Sequence, residues 1–144
     1  MFKKILYPTD FSDVSKKAID YLKQLKKGGS ETVIVLHVID QRGLQAVEQY
    51  DSAKFLELEQ SIMADAKQAL QAIENELKNS GFAVKARIET GVPLREILRV
   101  EEEENVSVIV IGSHGKSNLE EMFIGSVSEK VARKCKSPIL IIKR

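Results

Sequence analysis

Short apolar runs alternate with longer amphipathic segments along the whole chain. The clearest short run, residues 32–38, reads TVIVLHV and is typical of a buried strand because it is rich in β-branched residues. Four similar runs cover residues 3–7, 84–88, 106–111 and 139–142. Because a helical segment lies between successive strands, this order predicts an open parallel sheet of five strands with helices on both faces.

The helices are predicted from apolar residues at helical spacing and from capping residues. The first helix follows residue 13, with Ser12 or Asp13 as its cap and Gly28-Gly29 at its end. The second covers residues 52–79, with Gly81 beyond it, and a third begins near Pro93. The last covers residues 126–134. The second helix carries an apolar stripe that consists of Leu56, Met63, Leu70, Ile73 and Leu77.

Three further segments receive structural interpretations. Residues 41–49 are predicted to form an irregular connection, and residues 84–88 a weaker edge strand. The acidic run at residues 101–104 is predicted to be a solvated helix end, because neighbouring helical residues point around the axis and do not converge on a metal.

Length and composition limit the function classes. The chain has 144 residues, which favours one domain over residues 1–144 and excludes a large multidomain enzyme. Lys and Arg number 22 and Asp and Glu 21, so the net charge of +1 argues against nucleic acid or an acidic membrane as a partner. The single cysteine, Cys135, excludes an internal disulfide. No run approaches the ~18 apolar residues of a membrane span, and we expect a cytoplasmic protein.

Two polar segments directly follow strands one and four. Residues 8–12 read PTDFS, and residues 112–115 read GSHG. In open parallel sheets, ligands bind at the carboxyl ends of strands where the strand order reverses. If strands one and four are neighbours, the two segments face each other across one crevice.

The chemistry near strand four suits a phosphate. Gly112 and Gly115 allow either a positive φ or a close approach to a ligand, and Gly125 opens the last helix. A helix start offers unpaired N–H groups and a positive dipole end. Ser126 and Ser128 add hydroxyl groups, and His114 and Lys116 add charge.

Each of these residues also has a plainer structural explanation. Ser126 and Glu129 fit a capping box, and Asp10 fits a turn. His114 fits a surface histidine and His37 a satisfied core residue, while Cys135 fits simple packing. The combination on two loops at one sheet edge therefore carries more weight than any single residue.

Four matched segments resemble the universal stress protein family. The spacing Gly112-x2-Gly115-x9-Gly125-Ser126 is similar to the nucleotide-binding signature of that family, and KKILYPTDFS, VLHVID and SPILIIKR stand at corresponding places. The chain resembles most the ATP-binding archaeal branch. The resemblance implies strand order 3-2-1-4-5, a Rossmann-like fold related to the adenine nucleotide alpha hydrolases, and ATP in the crevice with Mg²⁺ or Mn²⁺ bridging its phosphates.

The resemblance also implies roles for individual residues. Asp10 would lie near the adenine base, the backbone of Val38 would hydrogen-bond it, and Gly112 would approach the ribose. The implied nucleotide-binding set is Pro8, Thr9, Asp10, Val38, Gly112, Ser113, His114, Gly115, Gly125, Ser126, Val127 and Ser128. Family members often form homodimers through the last strand, here residues 139–143, with Ile139 first and Lys143 last.

Three functions remain open from the sequence. The first is a nucleotide-responsive binding or signalling module in the stress response, in which ATP orders residues 112–125 and an unknown protein partner reads the ordered state. The second is a slow ATPase stimulated by a partner, although no residue stands out as a base for water. The third is a dimeric scaffold that binds no nucleotide.

Overall fold

A computed structural model describes residues 1–114 and 125–144. Its strands all pair in parallel in the order β3-β2-β1-β4-β5, which confirms the predicted fold class and strand order. The strands are β1 (Lys4–Pro8), β2 (Thr32–Asp40), β3 (Ala83–Gly91), β4 (Val108–Gly112) and β5 (Ile139–Ile142). The helices within these ranges are α1 (Asp13–Lys27), α2 (Gln41–Tyr50), α3 (Ser52–Asn79), α4 (Pro93–Glu104) and α5 (Ser126–Lys134).

The sheet buries both of its faces. Helices α1 and α3 cover one face, where Leu22 and Leu77 are buried against Tyr7 of β1. Helices α4 and α5 cover the other face, where Val100 packs in one cluster with Leu6. Because both faces are covered, the central strands need apolar residues at successive positions, which explains the continuous apolar runs in the sequence.

Most helix boundaries are the predicted ones. Ser12 caps α1 and accepts a hydrogen bond from the backbone N–H of Ser15 at 3.3 Å. Pro93 occupies the first turn of α4, where a missing N–H costs no hydrogen bond. Ser80 caps the end of α3, and Gly81 follows it with a φ of 99°. A positive φ at this position favours glycine.

The prediction of an irregular connection at residues 41–49 is wrong. This segment forms α2, whose cap residue Asp40 accepts a hydrogen bond from the backbone N–H of Arg42 at 3.0 Å. Helix α2 buries only Leu44, and Gly43 lies within it. Its apolar periodicity is therefore too weak to be recognised from the sequence.

The predicted apolar stripe of α3 is correct only in its second half. Leu70, Ile73 and Leu77 are buried, but Leu56 is 60% exposed. A helix of 28 residues is about 42 Å long, whereas the 9-residue strand β2 spans about 30 Å. The first half of α3 therefore extends past the sheet that covers its second half.

The prediction of a solvated acidic helix end is wrong for Glu101 and Glu104, which are both buried. The carboxylate of Glu101 accepts hydrogen bonds from the backbone N–H groups of Lys136 and Ser137 at 2.7 and 3.0 Å. Glu104 pairs with Lys85 on the edge strand β3. Helical periodicity turns these two carboxylates toward the protein, where each is compensated by donors.

No helix within the described ranges is both long and apolar enough to cross a bilayer.

Candidate functional site

A cavity of about 640 Å³ opens at the carboxyl ends of the central strands. Strands β1 and β4 are hydrogen-bonded neighbours, so Thr9 and Asp10 after β1 line the same cavity as His114 after β4, as the sequence predicts. The lining residues come from the ends of β1, β2 and β4 and from the starts of α1, α4 and α5. They are Pro8, Thr9, Asp10, Ser15, Leu36, Val38, Pro93, Ile97, Ile111, Gly112, His114, Gly125, Ser126, Val127 and Ser128.

Among the predicted nucleotide-binding residues that the structure describes, all but Ser113 line this cavity. Ser113 is fully buried behind the cavity wall, and Gly115 lies outside the described residues, as does Lys116. Sequence reasoning missed Ser15 and four apolar residues of the lining. Those four are Leu36, Pro93, Ile97 and Ile111, whose strand and helix periodicity reads as ordinary core.

The cavity has an apolar side and a polar side. Leu36 and Val38 of β2, with Ile97 of α4, form the apolar side. The polar side lies where β4 meets the start of α5, with His114 and Ser126 in its wall. This division suits a ligand that has one flat apolar part and one part rich in hydrogen-bond acceptors.

The loop from β1 to α1 is held in place by its own hydrogen bonds. The backbone N–H of Thr9 donates to the carbonyl of Leu36 at 2.8 Å, and the Thr9 carbonyl lies 2.8 Å from Nδ1 of His37. Asp10 accepts a hydrogen bond from the backbone N–H of Ser12 at 3.0 Å. This part of the cavity is therefore preorganised.

Phe11 adds a second contact to this loop. Its φ of 65° lies in the left-handed region, and its ring stacks on His37 with the ring centres 4.4 Å apart. His37 is only half-buried, so the prediction of a core position is wrong, but its hydrogen bond and ring contact agree with the prediction of a satisfied side chain.

The capping box predicted at the start of α5 is wrong. Gly125 is the cap residue, and no side chain caps the helix. Glu129 pairs with Arg133 at 2.8 Å and does not return to Ser126. Because Gly125, Ser126 and Val127 line the cavity, the positive end of the α5 dipole faces it.

Three hydrogen bonds join the end of β4 to α5 and β5. The backbone N–H of Gly125 donates to the Ser113 carbonyl at 2.6 Å. The hydroxyl of Ser128 donates to the Gly112 carbonyl at 2.6 Å, so its hydrogen is directed to the protein. The backbone N–H of Ser113 donates to the Ile142 carbonyl at 2.8 Å. The polar wall of the cavity is thus tied to β5.

Gly112 is required by packing within the protein. A Cβ at this position would lie 3.0 Å from Cγ1 of Val14 and 3.2 Å from the backbone nitrogen of Ser15. Gly112 has no positive φ, which among the described glycines is found at Gly29 and Gly81. The glycine therefore permits close packing of β4 on the first turn of α1.

His114 is buried, so its interpretation as a surface histidine is wrong. The residue is 5% exposed, and its Nδ1 lies 2.7 Å from Oγ of Ser113. Among the described residues its other ring nitrogen, Nε2, has no hydrogen-bond partner. A buried nitrogen without a partner in a cavity wall is costly unless a ligand or water bonds to it.

The described residues contain no group of three or more His, Cys, Asp or Glu side chains placed to hold a metal. Asp10 is the only carboxylate among the described lining residues.

The family model for universal stress proteins matches residues 1–143. The chain belongs to this family. This universal stress protein is 39% identical to universal stress protein MJ0577 of Methanocaldococcus jannaschii over 160 aligned residues, which cover 100% of the chain and 96% of the relative. A solved structure of MJ0577 superimposes with a TM-score of 0.91 at 44% identity and covers 100% of this chain and 97% of its own.

Two more distant solved structures of universal stress proteins contain nucleotides. One, from Arabidopsis thaliana, has AMP bound and gives a TM-score of 0.72, with coverage of 99% of this chain and 92% of its own. The other is a complex with cAMP and gives a TM-score of 0.70, with coverage of 99% and 97%. Both are 21% identical to this universal stress protein, so they support its fold.

Proposed function

We propose that this universal stress protein binds ATP in the cavity between the β1–α1 loop and the start of α5. The observation that carries the proposal is that one cavity is lined both by His114, whose buried Nε2 has no partner among the described residues, and by a helix start that no side chain caps. Both features suit an anionic oxygen, and the opposite side of the cavity is apolar. A volume of about 640 Å³ falls within the usual range for small-molecule sites.

The apolar side accommodates the adenine base. Leu36, Val38 and Ile97 offer apolar side chains there, and the backbone of Val38 supplies polar groups that need no particular side chain. Asp10 also lines the cavity, on a loop fixed by hydrogen bonds between its own residues.

The polar side accommodates the phosphates. The first N–H groups of α5 and the hydroxyl of Ser126 donate to phosphate oxygens, and the helix dipole favours their negative charge. A Mg²⁺ or Mn²⁺ ion fits only as part of the nucleotide complex. Because Asp10 is the single carboxylate in the described lining, phosphate oxygens and water would supply most of the ligands, as Mg²⁺ accepts.

Two relatives make an adenine nucleotide the first ligand class to test, since their solved structures hold AMP and cAMP. Nucleotide binding makes this protein a nucleotide-responsive module if a partner protein has different affinities for the nucleotide-free and nucleotide-bound states. The amount of bound partner then depends on how much of the protein holds nucleotide.

Self-association belongs to the same proposal. Strand β5 lies at one edge of the described sheet, and Leu140 on it is 38% exposed. An edge strand offers unpaired backbone groups to a second copy. The hydrogen bond from Ser113 to Ile142 places this edge directly behind the polar wall of the cavity.

Calorimetric titration with ATP, ADP, AMP and adenosine tests the proposal. Ser126→Asp places a negative charge in the first turn of α5, where the helix dipole favours it and the fold is retained, but where it repels phosphate. We expect ATP to bind this variant at least about tenfold more weakly than wild type, and Ser126→Asn to bind it nearly as well.

Ser52→Asp is the matched control, because Ser52 is the exposed first residue of α3 and lies outside the cavity. This control adds the same charge and should bind ATP like wild type. If wild-type protein binds no adenine nucleotide, and mass spectrometry detects none in fresh preparations, the proposed function is wrong. Equal ATP affinity in Ser126→Asp would show that the phosphates bind elsewhere.

A further inference from the structure

Ser113 does not line the cavity, but its hydroxyl contacts His114, which does. The side chain is fully buried, and its Oγ lies 2.7 Å from Nδ1 of His114. Both backbone groups of Ser113 are already used, the N–H by the Ile142 carbonyl and the carbonyl by Gly125. Within the described residues, the Ser113 hydroxyl forms its hydrogen bond with His114.

This contact selects one of the two neutral forms of the imidazole. If Nδ1 carried the hydrogen, it would donate to Ser113, and the buried hydroxyl hydrogen would have no acceptor among the described residues. If the hydroxyl donates to Nδ1, its hydrogen bond is satisfied, and the ring hydrogen resides on Nε2. Each arrangement leaves one buried donor without a partner among the described residues, the hydroxyl in the first and Nε2–H in the second. The first arrangement also leaves Nε2 as a buried acceptor without a partner, so the second is favoured.

We propose that Ser113 is a positioning residue that holds His114 in the Nε2–H form, so that this residue of the cavity wall carries a donor and not an acceptor on its second ring nitrogen. Such a donor selects a ligand with an acceptor oxygen at that point, such as a phosphoryl oxygen, and disfavours a ligand that presents a donor. This inference rests on the proposed nucleotide function for the identity of the ligand, but the tautomer itself does not depend on a ligand.

His37 supplies an internal reference. Its Nδ1 lies 2.8 Å from the backbone carbonyl of Thr9, which can only accept a hydrogen bond, so the hydrogen of His37 resides on Nδ1. The chain contains two histidines. The structure therefore assigns opposite neutral tautomers to the two imidazoles of one protein.

Nitrogen-15 NMR of the nucleotide-free protein at about pH 8, where imidazole is neutral, reads both tautomers directly. The His37→Gln variant assigns the two rings. We expect Nε2–H for His114 and Nδ1–H for His37 in wild type. In Ser113→Ala, we expect His114 to become a mixture of tautomers while His37 is unchanged. An Nδ1–H form of His114 in wild type, or an unaltered His114 in Ser113→Ala, would overturn the inference.

Calorimetry then connects the tautomer to binding. Ser113→Ala should weaken AMP binding about three- to tenfold and leave adenosine binding unchanged, because only AMP presents a phosphoryl oxygen. His114→Gln keeps a side-chain N–H and should retain more AMP affinity than His114→Leu.

The outcomes separate the two proposals. If wild type binds no nucleotide, the proposed function fails, while the NMR result still decides the role of Ser113. If wild type and Ser113→Ala bind AMP equally, the positioning role is wrong although nucleotide binding stands.

Discussion

Replacement of Gly112 by alanine should destabilise the protein, because the new Cβ has no room against α1. It would lie 3.0 Å from Cγ1 of Val14, and 3.2 and 3.3 Å from the backbone nitrogen and Cα of Ser15. Val14 is 1% exposed, so its side chain cannot turn into solvent. Relief therefore requires the first turn of α1 to retreat from β4 by a few tenths of an ångström.

The expected cost follows from two opposing effects. Overpacking of this kind destabilises the native state by about 1–3 kcal/mol. Alanine also lowers the conformational entropy of the unfolded chain, and this effect raises the free energy of unfolding by about 0.4–1 kcal/mol. With the middle value of each range, the free energy of unfolding should fall by about 1.3 kcal/mol, which for a chain of this length lowers the melting temperature by about 3–5 °C.

Urea denaturation measures this change, and Gly43→Ala is the matched control. Gly43 lies on the exposed side of α2, and no atom lies within 4 Å of a Cβ built there. The same substitution at this site should raise the free energy of unfolding by about 0.4–1 kcal/mol. If Gly112→Ala is as stable as wild type while Gly43→Ala behaves as expected, packing against α1 does not require a glycine at position 112.

Three further predictions concern charge, assembly and the thiol. Glu104→Gln should lower the free energy of unfolding by about 1–3 kcal/mol, because it removes the charge that Lys85 and Arg87 face. The hydrogen bond from Lys85 holds the pKa of Glu104 below its ordinary value of 4.5, so the stabilisation is present above pH 4.5 and is lost as the pH falls further. Urea titrations of wild type and Glu104→Gln should therefore converge in acid, and a constant difference would contradict this account. Leu140→Lys should convert a dimer to a monomer by light scattering, since it places a charge on the outer edge strand; a wild-type monomer would refute pairing through β5. Burial raises the pKa of the Cys135 thiol, so iodoacetamide should alkylate it more slowly in the native protein than in urea, and equal rates would be incompatible with its packing.

The strands and most helix boundaries could be predicted because their signals are local. The run at residues 32–38 and the capping residue Ser12 each specify an element within a few positions. Helix α2 could not be predicted because it buries a single leucine, Leu44, and contains Gly43. A helix stabilised by so few tertiary contacts leaves little periodicity in the sequence.

The polar residues of the site could be predicted from the sequence, but its apolar residues could not. Polar residues such as Asp10 and Ser126 could be recognised because they interrupt apolar patterns directly after a strand or at a helix start. Leu36 and Ile111 could not, because a residue of a buried strand has the same apolar pattern whether it faces a helix or a cavity. The prediction of a solvated helix end at residues 101–104 is wrong only for Glu101 and Glu104, because charge alone does not show which carboxylates have hydrogen-bond donors from other segments.

The sequence by itself determined the alternation of strands and helices, the glycines and polar residues after two strands, and the resemblance to a family. These features depend on neighbours within one or two turns of chain. Only the tertiary structure decided that Ser113 lies behind the cavity wall while His114 lies in it, and that Gly112 serves the packing of α1. These features depend on contacts between segments more than 90 residues apart, such as the contact of Gly112 with Ser15. The local spacing of residues does not specify such contacts.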